Sequence, residues 1–241
     1  MVGWVDVALV ILFAAVWPLL EYFWLWPRHV RAVDGGDLQA RTRVYTRTLV
    51  EEWGLVAAVC VVMLAAGRPL SLLWLGPPAG WALIGFALPA IYLALVIPQA
   101  RALAAKPESL ARMRVRLRPL RALVPHTRGE YWLFIALSAT AGFCEELIFR
   151  GYLVWVLQHW IGLWGAAGAS MVIFGLGHSY QGRSFGLRAF IAGVAMGVLA
   201  LATRSLLPGM ILHALIDMGS GTVTYMAMRT GGEERPGVAV A

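Results

Sequence analysis

Seven apolar runs, most of them long enough to cross a bilayer, constrain this chain more than any other feature. About 20 apolar residues in helical form cross the hydrocarbon core, where backbone groups must be satisfied internally. The runs lie near Val5–Trp26, Leu49–Ala66, Trp81–Pro98, Tyr131–Gln158, Leu163–His178, Leu187–Thr203 and Leu206–Met228. They predict an all-α fold, a polytopic transmembrane helix bundle of about seven spans. The first run lacks a basic leader and is too long for the core of a signal peptide, so it reads as a spanning helix. The 131–158 run is too long for one perpendicular span and should tilt or begin as an interfacial turn.

Composition agrees with a membrane protein. The chain is 60% hydrophobic and 14% charged, against about 25% charged in a soluble domain. Eleven Trp and seven Tyr suit aromatic belts at the lipid–water boundary. The net charge of +7 does not point to nucleic acid, because the basic residues sit in connectors between apolar runs. Connectors 27–47, 99–130 and 179–188, with the tail, hold seventeen of the twenty basic residues. The other connectors keep only Arg68 and Arg204, and Arg150 falls inside a span. Seven spans with the N-terminus outside and the C-terminus in the cytoplasm satisfy this count. All but one of the basic residues are Arg, a bias of GC-rich genomes that suggests a bacterial inner membrane. The Arg112–Arg118 stretch, alternating charge and apolar residues, reads as an ordinary positive-inside loop, the alternative being a site for anionic headgroups. Cys60 and Cys144 both lie in apolar runs and read as packing residues. Gly193 and Gly197 form a weak GxxxG signal for close helix packing.

Against that background, ionisable residues inside the spans stand out, since each costs roughly 2.5–3.5 kcal/mol at a helix centre on insertion scales. Glu145, Glu146 and Arg150 fall halfway along the fourth run, His178 ends the fifth, and His213 and Asp217 lie in the middle of the last. Glu21, Glu51 and Glu52 are expected nearer span ends, within reach of water or headgroups. Glu146 and Arg150, four apart, can pair on one helix face. Glu145 is turned about 100° away and lacks a local partner. A carboxylate facing a desolvated cavity makes a stronger base than an exposed one. His213 and Asp217, also four apart, allow the carboxylate to fix the imidazole tautomer. Taken together, these residues imply one polar cavity built from three helices. An ion path of a transporter or proton-coupled channel would use the same residue types, but transporters often show two related halves and no repeat is visible here. A non-catalytic membrane scaffold is the third reading.

The motifs Glu-Glu-x-x-x-Arg at 145–150, Phe-x-x-x-His at 174–178 and His-x-x-x-Asp at 213–217 resemble those of the CPBP family. That family includes CAAX-processing endopeptidases and the bacteriocin-processing or Abi proteins. The resemblance covers roughly 130–228, so the chain divides into N-terminal helices with basic connectors (1–130), a CPBP-like catalytic core (131–228) and a short cytoplasmic tail (229–241). It implies an intramembrane endopeptidase in which Glu145 activates water, His178 helps to hold it, His213 and the residue at 217 lie near the oxyanion, and Glu146 and Arg150 support the site. Many members carry Asn where this chain has Asp217, and an ionised Asp cannot donate to an oxyanion. The substrate implied is the terminal segment of a protein or peptide, such as a lipidated tail, a leader or a sorting tail. No cofactor is required on this reading; the alternative is one divalent metal such as zinc at Glu145, His178 and His213.

Overall fold

The structure is a computed structural model and describes residues 2–229. The tail beyond Arg229, with Arg235, lies outside the described residues. Every regular element among the described residues is helical. Among the described residues, five helical stretches are long and apolar enough to cross a membrane, with 128–181 counted as one of them. That stretch breaks into two helices at Gly162, whose φ of 68° and ψ of 167° end a helical turn that residues with a Cβ disfavour. The last helix carries His213 and Asp217, and so falls short in apolarity rather than length. Counting both gives the bundle of about seven spans.

Helix α1 runs over Trp4–Asp34, well past the expected end at Trp26. Pro18 and Pro27 ought to break it, since each lacks an N–H and its ring clashes with the carbonyl four residues back. Those carbonyls, of Ala14 and Phe23, sit within π-helical turns at Leu12–Val16 and Glu21–Leu25. The widened turns make room for the rings, and the helix continues. The next helix, α2, covers Ala40–Ala65, so the expected 27–47 connector shrinks to 35–39. It closes in a Schellman motif: Gly67, at φ 67°, donates its N–H to Leu64 and Arg68 donates to Met63. A 3₁₀ stretch at Gly80–Phe86 leads into α3, Ala87–Ala104. The basic 99–130 connector is not a plain loop, for it contains α4, Pro107–Arg116.

Helix α5 spans 128–161 and begins on a capping box. The Glu130 N–H donates to Thr127 Oγ1 at 3.2 Å, and Glu130 Oε2 accepts from the Thr127 N–H at 3.1 Å. Arg41 Nε donates to the same carboxylate at 3.0 Å and ties α2 to this cap. Helix α6 occupies 163–177, α7 Arg183–Thr203 and α8 Leu207–Arg229. Between the last two, Ser205 Oγ donates to the Gly76 carbonyl at 2.7 Å and accepts the Leu207 N–H at 3.2 Å, capping α8.

The core gathers Val59 and Met63 of α2, Cys144, Leu147 and Tyr152 of α5, and Met210 of α8. Cys144 is buried there and Cys60 packs against it, both as free thiols. Large apolar side chains such as Val61, Ile91, Trp164 and Val198 remain exposed on the outside of the bundle, as lipid contact requires. One polar knot is sealed inside. Asp6, only 1% exposed, accepts from Arg68 at 2.8 Å and from the Tyr152 hydroxyl at 2.7 Å. It fastens the start of α1 to the end of α2 and to α5.

Two glycines set the spacing around the site. A Cβ on Gly142 would stand 2.8 Å from the Ala214 backbone nitrogen and from the Met210 carbonyl oxygen, so α5 and α8 cross in close backbone contact. A Cβ on Gly193 would stand 2.7 Å from Arg150 Nη2. The GxxxG pair faces α6, Gly193 against Phe174 and Gly197 against Met171.

Candidate active site

The α5–α8 crossing at Gly142 brings the fourth and last apolar runs together one turn away from Glu145 and Glu146. Glu146 is 1% exposed and makes two charge-assisted contacts. Arg150 Nη1 donates to its Oε1 at 3.1 Å, and His213 Nδ1 lies 3.0 Å from the same oxygen. A carboxylate only accepts, so the His213 proton on this side belongs to Nδ1. Glu146, rather than Asp217, is therefore the group that orients the His213 ring and holds its Nδ1 proton. Asp217 Oδ2 stands 3.6 Å from His213 Nε2, beyond hydrogen-bond distance. Helical spacing permitted the His213–Asp217 pair; the closer approach of α5 gives the imidazole a better acceptor from another helix.

Arg150 takes part in a second contact, with its Cζ 4.0 Å from the centre of the Phe174 ring. The ring centre of His178 lies 4.5 Å from that of Phe174, and His213 meets Phe174 edge-on at 5.8 Å. One aromatic ring thus forms a platform under the guanidinium and both imidazoles. His178 Nδ1 lies 2.8 Å from the Phe174 carbonyl oxygen, which accepts. The Nδ1 proton is spoken for, and in the neutral ring Nε2 is left as an acceptor.

Glu145 occupies the space between these groups. Its Oε2 lies 3.9 Å from His178 Nε2 and 3.7 Å from His213 Nε2. That oxygen is buried and has no hydrogen-bond partner. Three helices thus converge on Glu145, with one imidazole each from α6 and α8. Among the described residues, no three His, Cys, Asp or Glu side chains are arranged to hold a metal ion.

Two glutamates, Glu21 and Glu52, differ from their expected settings. Glu21 is buried and ion-paired with Arg47, which also reaches Glu51 at 3.3 Å. Glu52 lies in the middle of α2, 8% exposed, with Oε2 lacking any hydrogen-bond partner. Placing the start of this helix at Leu49 put Glu52 at a span end; the helix begins nine residues earlier, at Ala40. The signal that would have corrected this is the amphipathic Ala40–Thr48 stretch, whose Arg41 and Arg47 have buried acidic partners.

Residues 127–219 match the family described as type II CAAX prenyl endopeptidase Rce1-like. This stretch is Rce1-like. It starts on the Thr127 cap, carries all three motifs and ends just past Asp217 in α8. The Rce1-like stretch supports a protease of the CAAX-endopeptidase type in a multi-pass membrane protein, acting on a protein or peptide, and it favours that over a transporter. Helices α1 to α4 lie outside the match. No curated protein and no solved structure gives a match.

Proposed function

We propose that the chain is a glutamate-dependent intramembrane endopeptidase, with Glu145 as the base that activates water and a lipidated protein tail as its substrate. The observation that carries this reading is the buried, unpartnered Glu145 Oε2, flanked at 3.9 and 3.7 Å by imidazole nitrogens from two other helices. Gaps of this size suit a bridging water rather than a direct bond. A water there gives one proton to Glu145 and its second hydrogen bond to His178 Nε2, and its oxygen attacks the scissile carbonyl carbon. The oxyanion forms beside His213 Nε2, which stabilises it as an imidazolium donor. Glu145 then returns the proton to the leaving nitrogen as the C–N bond breaks. Glu146 orients His213, Arg150 balances the Glu146 charge, and Asp217 acts on His213 through its field alone.

The Rce1-like match and a base placed in a span both support a substrate that enters the bilayer, as a prenylated Cys-aliphatic-aliphatic-X tail does. Leader and sorting tails are the alternatives. The basic connectors support a cytoplasmic C-terminus in a bacterial inner membrane. The test is cleavage of a prenylated tail peptide by the purified full chain. Glu145→Gln should lower kcat by roughly 10²–10⁴-fold while the protein still inserts and purifies; retained activity sinks the assignment. Thorough chelation should leave cleavage unchanged. Loss that zinc alone restores would pass the chemistry to a metal held by Glu145, His178 and His213.

A further inference from the structure

Glu52 is a buried acidic side chain that neither the motifs nor the family match includes. It comes from α2, outside the matched stretch. It is more than nine-tenths buried, and its Oε2 has no hydrogen-bond partner among the protein groups. The charges that act on it most strongly are those of Glu145 and Asp217, followed by Glu51 on its own helix. The Cys144 thiol, next to Glu145 on α5, lies in the field of both Glu52 and Glu145. The nearby arginines are committed elsewhere: Arg47 to Glu21 and Glu51, Arg150 to Glu146. Glu52 and Glu145 thus each carry a buried carboxyl oxygen without a hydrogen-bond partner, on two helices, α2 and α5, that pack together.

The neighbouring residue fixes how α2 faces α5 at this point. Trp53 stacks on Phe143 with ring centres 5.4 Å apart, and its Nε1–H donates to Thr140 Oγ1 at 3.3 Å. A buried polar atom without a partner costs about 1–3 kcal/mol. An apolar residue of similar volume would pack α2 against α5 without that cost. Packing alone does not account for a carboxyl here.

We propose that Glu52 is a positioning residue of the active site, its carboxyl hydrogen-bonding the solvent around Glu145 and so holding the attacking water and the base in place. The proposal rests on the endopeptidase reading and extends the site to a fourth helix. It predicts that stability and activity move in opposite directions. In the full-length protein, Glu52→Leu should keep or raise the thermal midpoint in detergent, because a buried unpartnered polar group is removed. The same variant should lower kcat on a prenylated tail peptide by about 10–100-fold, with KM within about twofold, the range typical of groups that orient first-contact residues. Glu52→Gln, which keeps a hydrogen-bonding oxygen at the same reach, should recover most of that loss.

A Glu52→Leu protein that is stable and turns over within twofold of wild type would overturn the proposal. So would one that loses stability and activity together, or a loss that appears in KM alone. Glu52→Gln no better than Glu52→Leu would also overturn it, since the hydrogen bond would then not be what matters. Glu145→Gln run alongside separates the two readings. If that variant is dead and Glu52→Leu is fully active, only the present proposal fails. If Glu145→Gln still cleaves, both fail.

Discussion

At His213, three carboxylates surround one imidazole, and distance singles out the one that holds it. Glu146 accepts the Nδ1 proton at 3.0 Å, while Asp217 stands 3.6 Å from Nε2. The two acids should therefore respond differently to neutralisation. Asp217→Asn removes a nearby charge but no hydrogen bond, and kcat/KM should stay within a few-fold of wild type. Glu146→Gln strips the charge that balances Arg150, itself 3% exposed. Leaving one member of a buried pair uncompensated costs about 3–5 kcal/mol. The thermal midpoint of that variant should fall sharply and cleavage should be lost with it. Equal effects from the two substitutions would show that Asp217 shares the orienting role. The motif spacing made this site visible because ionisable residues are rare in apolar runs. It could not rank the partners of His213, since a four-residue interval within one helix says nothing of the approach of another.

Among the elements, the α5–α8 crossing carries the site, and Gly142 sets its depth. A methyl group at Gly142 would meet backbone atoms of α8 at 2.8 Å, and backbone cannot step aside as a side-chain tip can. Gly142→Ala should push the helices apart, at a cost of about 1–3 kcal/mol for overpacking. It should also lower cleavage at least tenfold by withdrawing Glu145 from His213. Gly197→Ala is the matched control. Its new methyl would meet only the flexible end of Met171, which can change rotamer. Near wild-type activity in Gly197→Ala, beside a crippled Gly142→Ala, would separate a crossing that positions the chemistry from one that merely packs. The sequence drew attention to the GxxxG pair, while the glycine that matters most to the site belongs to no motif. Its importance depends on which helix lies opposite.

At the scale of the whole molecule, the first half of the chain is more than a lipid-facing wrapper. Arg41 reaches the α5 cap, Trp53 beside Glu52 stacks on Phe143 of α5, and Asp6 accepts from Tyr152. Residues 120–229 expressed alone should still insert, since helices enter the bilayer before they associate. Cleavage should nevertheless fall at least about tenfold and return in part when 1–119 is supplied as a second chain. An isolated fragment as active as the whole would show that the site is self-sufficient. Helix number was legible from hydropathy, because a span announces itself by length. The extents of α1 and α2 were not: prolines and arginines imitate helix ends, and only π turns and buried acidic partners let the helices run on. A related consequence follows from the π-helical turn Glu146–Leu153, where the ladder runs i→i+5. Such a turn acts as a phase shifter, letting Glu146 address His213 of α8 and Arg150 address Phe174 of α6, while Tyr152 and Trp155 address Asp6 and Arg68. Deleting one residue there would give a more regular helix, yet rotate everything beyond it by about 100°. Over these eight positions the chain can drift in composition, but its length is held fixed, as the pitch of a screw is held by its thread.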